Sequence, residues 1–234
     1  MSFYNENIRS RQFVAVRSDN KVCQIDLDEG IYLANAVLAI TPTLAGTGAA
    51  GLLFTVNGGA FSCIQSLELR AGNQIITQNQ DVANIAAFFN TLQDNGDNAS
   101  KNKTVYGTSA GYEVSQDDFR VNATYVTTKS TTYYLQLNKV LRFLHSSKYL
   151  NTHKLKNLNL VIKFRSDVRN WFQGNVNANV TCDFQQTKPS IFIDELLKGK
   201  GYDVARAMTS KSKVLEFFEI QKDNISVCQQ EMLE

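Results

Sequence analysis

Along this chain of 234 residues, apolar and polar positions alternate over short stretches, and the dominant period is two. LNLVIKF (158–164) is the cleanest case. Leu158, Leu160, Ile162 and Phe164 face one way while Asn159, Val161 and Lys163 face the other, which predicts a strand with one buried face. The same reading predicts strands in KVCQIDL (21–27), GIYLANAVLAI (30–40), LLFTV (52–56), TTYYLQL (131–137), NVTCDF (179–184) and SIFIDEL (190–196). IQSLELRAGNQIIT (64–77) holds two strands around Ala71-Gly72-Asn73 and predicts a hairpin. KVLEFFEI (213–220) suits a strand or a helix equally.

Helical spacing is rarer. Thr77-x-x-Gln80 reads as a capping box, after which Val82, Ile85, Ala86, Phe89 and Leu92 fall on one helical face. Asn138 can cap a short helix that buries Val140, Leu141 and Leu144. Residues 94–132 are polar and rich in turn formers and predict a long surface excursion. Eight or more strands with one or two short helices between them describe a mainly β fold, a jelly-roll sandwich or barrel. The divisions expected are an N-terminal arm (1–20) with few strand signals, a barrel (21–198), and a linker leading into the start of a possible second barrel (199–234). The arm is expected to be mobile or to lie on a neighbour.

GTGAAG (46–51) has the glycine spacing of a dinucleotide-binding turn, which requires a helix immediately afterwards so that its amides face the phosphates. The next residues are LLFTVNGG, β-forming and then turn-forming, so the segment reads as a connection between strands with no nucleotide. Cys23, Cys63, Cys182 and Cys228 lie far apart and only His145 and His153 could join them, which predicts neither a metal site nor any cofactor. G-x-S-x-G and H-E-x-x-H are absent, and the acids of DLDEG (26–30) read as solvated charge, so no catalytic residue is assigned. The opening MSFYNENIRS lacks the apolar stretch of a signal peptide, which points to a protein made and kept inside a cell.

The net charge of +2 hides a local asymmetry. Residues 139–169 carry eight Lys and Arg against one acid, a local +7, leaving the remainder at −5. Lys148, Lys154, Lys156, Lys163, Arg165 and Arg169, interleaved with aromatic residues, make a candidate basic surface for phosphate contact. The competing reading puts Phe143 and Phe164 in the core, with the lysines coating a solvated or subunit-facing side. Arg9, Arg11 and Arg17 are the candidate cations of an assembly arm.

Two segments carry a more specific likeness: GAFSCIQSLELRAGNQIITQNQDVANIAAFFN, and LQLNKVLRFLHSSKYL with LNLVIKF after it. Their order resembles the first barrel of the double jelly-roll major capsid proteins of tailless icosahedral DNA viruses, virophages and Polinton-like elements, over roughly residues 20–195. The resemblance implies a structural capsid subunit of a virion, without enzymatic activity or small-molecule substrate. Its implied partners are copies of itself, as a trimer, and other capsid proteins. The basic surface could then meet genome or an internal membrane, and a nucleic-acid-binding β domain is the alternative function. Members of that family carry two barrels in tandem, whereas KVLEFFEI is where a second would only be starting. A fragment, a split product and a single-barrel relative all remain open.

Overall fold

The computed structural model describes residues 7–18, 21–41, 43–45, 52–53, 59–80, 82, 85, 120–121, 132–165, 181–183 and 188–210. In chain order the strands are β1 (Ile8–Val14), β2 (Arg17–Ser18), β3 (Val22–Asp26), β4 (Ile31–Leu33), β5 (Val37–Ile40), β6 (Thr43–Ala45), β7 (Leu52–Leu53), β8 (Ile64–Ala71), β9 (Gln74–Asn79) and β10 (Arg120–Val121). Then come β11 (Tyr133–Gln136), the short helices α1 (Leu137–Val140) and α2 (Arg142–Ser146), β12 (Tyr149–Asn151), β13 (Leu158–Phe164), β14 (Thr181–Asp183), β15 (Ser190–Leu196) and the helix α3 (Lys200–Ser210).

Two large antiparallel sheets result, beside the two-stranded pairs β6 with β14 and β7 with β10. The first runs β11-β5-β15-β4-β12 with β1 on the other side of β15, and the second runs β2-β3-β13-β8-β9. β4 and β5 both pair with β15, and they pair with β12 and β11 respectively, so each of these two pairs acts as one interrupted strand. Counted this way there are eight strand positions: the first, third, sixth and eighth lie in the first sheet and the second, fourth, fifth and seventh in the second. The first position pairs with the eighth (β1 with β15), the second with the seventh (β3 with β13), the third with the sixth, and the fourth with the fifth (β8 with β9). That is a long hairpin wrapped into two layers, a jelly roll.

The inward faces explain why the layers hold. Leu158, Leu160, Ile162 and Phe164 of β13 are all buried and join Ile25, Leu38, Leu67, Leu135, Ile191 and Ile193 in one continuous core. Non-directional burial at about 25 cal/mol per Å² of apolar surface makes such a core the main stabilising term. The outward side of β13 departs from expectation: Asn159 and Val161 are also buried, packed among the neighbouring strands' side chains. Gly72 turns β8 into β9 at φ 59°, a left-handed conformation that strains residues with a Cβ. At Gly30 space is tight, because a Cβ there would stand 3.1 Å from the ring of the fully buried Tyr32, which would have to give by a few tenths of an ångström.

Several expectations are corrected. Ile8–Val14 form a full strand against β15, so this part of the arm is built into the first sheet, with Phe13 and Ala15 buried. Seven residues of ladder outweigh a composition that is only weakly β-forming. Thr77 lies in β9 opposite Leu69 and caps nothing. Val82 and Ile85 are nevertheless helical and buried, while Ala86, Phe89 and Leu92 lie outside the described residues. Asn138 is inside α1, whose first turn has no side-chain cap, although Val140, Leu141 and Leu144 are buried as expected. Both short helices pack into the core, and Asn79 donates to the Val140 carbonyl at 3.0 Å, so they close the seam between β9 and β11. The expected linker is mostly helix: α3 lies on the outer side of the first sheet, with Ala205 against Ile31 and Leu196.

Candidate assembly surface

The two ends of the barrel differ. Residues 41–63, 80–132 and 165–189 leave from one end, and there β6 pairs with β14 and β7 with β10, tying the three excursions together. At the opposite end the described residues make short turns at 27–30, 72–73 and 152–157. GTGAAG lies outside the described residues, but it is flanked by the strands β6 and β7, so strand and not helix comes after Gly51.

Arg9 and Arg11 sit at the short-turn end and are committed to partners within the chain. Arg9 Nη2 donates to Glu195 Oε2 at 2.6 Å, and Arg11 Nη2 donates to Asp28 Oδ2 at 2.5 Å while its Nη1 lies 3.6 Å from Glu195. The Arg11 guanidinium also stands 4.6 Å over the Phe13 ring. Partial burial works against the charge on Arg11, but the hydrogen bond to Asp28 and the nearby anions outweigh it and raise its pKa. Burial pushes the Tyr32 hydroxyl up to about 12, even beside Arg11, so it stays neutral and donates to the Asp28 carbonyl at 3.1 Å. Arg17 lies elsewhere, in β2 opposite Gln24 on the second sheet. The three arginines therefore do not form one cluster.

The basic surface is likewise divided. Lys154 and Lys156 are exposed in the turn between β12 and β13, at the short-turn end, while Lys148 lies beside Tyr149 with its Nζ 5.4 Å from the ring. Lys163 and Arg165 lie toward the excursion end, a strand length or about 20 Å away at ~3.3 Å per residue. Arg169 is outside the described residues. Lys163 is also neutralised: its Nζ donates to Glu68 Oε1 at 2.5 Å, and Arg70 grips the other oxygen of the same carboxylate.

Glu68 was not singled out from sequence, yet it is the buried charge of the second sheet's outward face. Burial alone would raise its pKa, but hydrogen bonds from Lys163 and Arg70 prevail and hold the carboxyl below the ordinary range. The available signal was Glu68 and Arg70 two residues apart on one strand, hence on one face. Ser66, Glu68, Arg70, Asn159 and Lys163 make that face polar and ionic.

The first sheet's outward face carries less charge: Asp194, bonded to Ser10 and Asn35, lies on it toward the short-turn end, and the two rows beyond are uncharged. Register aligns Val14, Ser190, Ala39 and Tyr134 in one row and Gln12, Phe192, Val37 and Gln136 in the next. None of these carries a charge, and the Tyr134 and Phe192 rings approach to 6.5 Å between centroids. α3 covers the same face toward β12, where Asn151 donates to Thr209 Oγ1 at 2.8 Å. An uncharged, aromatic patch with neutral hydrogen-bonding groups suits contact with another protein surface. Among the described residues, no group of three or more His, Cys, Asp or Glu is placed to hold a metal ion, and no helix is long and apolar enough to cross a membrane.

No family model matches the sequence, and no curated protein matches it. Solved structures do resemble the fold. One is the PBCV-1 virus capsid, at TM-score 0.52 and 16% identity over 88% of this chain and 46% of that one. Another is the Sputnik virophage determined by cryo-EM, at TM-score 0.52 and 11% identity over 86% of this chain and 50% of that one. This chain thus spans about half the length of the solved structures it matches. At these identities the likeness is one of architecture: the chain shares its wrapped eight-position jelly roll with double jelly-roll major capsid proteins.

Proposed function

We propose that this chain is a structural subunit of a viral capsid, acting through shape and self-association and not as an enzyme. The observation that supports this most is the extent of the fold likeness, 88% of the chain onto a virus capsid protein. A barrel of this kind works by presenting complementary faces to symmetric neighbours, and the two uncharged rows on the outward face of the first sheet, those of Val14 and Gln12, are suited to that. The partners are copies of the same chain, in a trimer, and other capsid proteins, and the setting is the virion. The subunit is made inside a host cell and needs no cofactor and no substrate. In the same proposal β1 and α3 belong to the barrel unit, with Arg9 and Arg11 acting by fixing β1.

The test is the assembly state of the purified chain. Light scattering and electron microscopy without nucleic acid should show discrete trimers or lattices. A strictly monomeric protein that binds DNA with a steep salt dependence would favour the nucleic-acid-binding function instead.

A further inference from the structure

β1 runs seven residues in unbroken register against β15, and among the described residues no strand pairs with its other side. Leu197 N donates to the Asn7 carbonyl and Ala15 N to the Pro189 carbonyl, so the odd-numbered residues bond to β15. Ile8, Ser10, Gln12 and Val14 therefore direct their N–H and C=O groups away from the sheet. Such an edge invites another strand unless charge, proline or a bulge blunts it. The run from Ile8 to Val14 has no proline and no bulge. Its two charges, Arg9 and Arg11, are turned to Glu195 and Asp28 of their own chain and do not guard the edge. Ile8 and Val14, at the two ends, are 46% and 49% exposed.

We propose that β1 pairs with β1 of a second copy of the chain, antiparallel across a twofold axis through Arg11. This register sets Ile8 opposite Val14 and Ser10 opposite Gln12, so every outward-directed residue of one copy meets an outward-directed residue of the other. An axis through Ser10 or Gln12 leaves one of the four unpaired at an end. On the outward side of the sheet, the exposed apolar pair of Ile8 and Val14 closes both ends, and two neutral polar pairs lie between. On the other side Arg9 lies opposite Phe13, and the two Arg11 side chains meet at the axis. Like charges in that place repel. Each Arg11 guanidinium, however, stands over its own Phe13 ring with Asp28 Oδ2 at 2.5 Å and Glu195 Oε2 at 3.6 Å, so that Arg9, Arg11, Asp28 and Glu195 balance within each copy.

The symmetry of the pair says when it can exist. An antiparallel ladder has its twofold axis perpendicular to the strands, so one barrel is inverted against the other, with the excursion end of each beside the short-turn end of its neighbour. The rotation axes of a closed shell point outward and keep the same end of every subunit outside. The β1 pair is therefore a state of the unassembled chain, which covers the edge and opens before a shell forms. One strand added per copy is a small contact, in the size class of transient association, which suits that exchange. The pairing itself rests on the edge alone, and only this consequence rests on the capsid reading.

Three variants of the full chain test the register. Gln12→Pro removes an outward N–H from each copy while leaving the β15 ladder intact, and should weaken the pair about tenfold in sedimentation equilibrium, because two main-chain bonds are lost per dimer. Val14→Lys should also weaken it, by setting a cation against Ile8. Adding Ile8→Glu to Val14→Lys should restore most of the affinity, since each end then carries an ion pair. The positions changed are exposed, so all three should keep the wild-type circular dichroism and melting curve. A further measurement needs no substitution: amide exchange at Ser10, Gln12 and Val14 of the wild type should slow as protein concentration rises. Association of Gln12→Pro equal to wild type, or a double variant that pairs no more tightly than Val14→Lys, overturns the inference. A wild type that forms trimers or lattices while exchange at these amides is independent of concentration also overturns it, and leaves the capsid reading in place. A wild-type chain that stays monomeric at every concentration overturns both.

Discussion

Glu68 shows how one buried charge is held. Its carboxylate is 6% exposed in the side chain but receives Lys163 and Arg70, both of which keep contact with water. A carboxyl whose folded pKa is depressed contributes stability that is present above its unfolded value, about 4.3, and lost as the pH falls through the lower folded value. Glu68→Gln should therefore cost about 1–3 kcal/mol at pH 7 by leaving two cations facing a neutral amide. The difference between variant and wild type should shrink below about pH 4. Urea unfolding across that range is the measurement, and a difference that persists unchanged at acid pH would show that packing, not charge, is responsible. In the core, Leu160→Ala removes a fully buried side chain and should cost about 2–5 kcal/mol in the same assay.

The elements at the two ends of the described chain contradict the idea of appendages. Deleting residues 1–16 removes the whole of β1 with Phe13 and Ala15, and exposes the long edge of β15. The expected result is loss of soluble folded protein, read by expression yield and near-ultraviolet circular dichroism. Retention of a cooperative melt would show that the sheet closes without its first strand. α3 makes a parallel case. A chain ended at Gly199 uncovers Ile31 and Leu196, whereas one ended at Ser210 keeps them covered. The shorter chain should melt lower and aggregate more readily, which reverses what a linker at this place would predict. The helix was hard to read because its apolar contacts are few, with Ala205 central and Tyr202 partly buried beside it.

Across the barrel as a whole, charge is arranged by the wrapping of the strands and not by proximity along the chain. A run of +7 within residues 139–169 becomes separate groups at opposite ends of β13, and one of its members is bound by Glu68. Replacing Lys148, Lys154 and Lys156 together by alanine should therefore leave self-association unchanged while weakening any binding to DNA. Gel filtration and a salt titration of DNA affinity report the two effects separately. Dissociation of the oligomer by that triple change would place the short-turn end at a subunit contact.

Local geometry was legible in the order of residues alone. Period-two alternation located β3, β8, β13 and β15 because a strand's faces are fixed by the backbone. Gly72 marked its hairpin because a turn with positive φ favours glycine. Local pattern also carried the mainly β class and the likeness to capsid barrels. Packing between distant segments settled the rest. β1 is a strand because β15 offers it a ladder, Thr77 is in a strand because Leu69 lies opposite it, and Arg9 and Arg11 are paired because Glu195 and Asp28 arrive from other strands and turns. Each depends on contacts between residues separated along the chain, and no local period records who the partner will be.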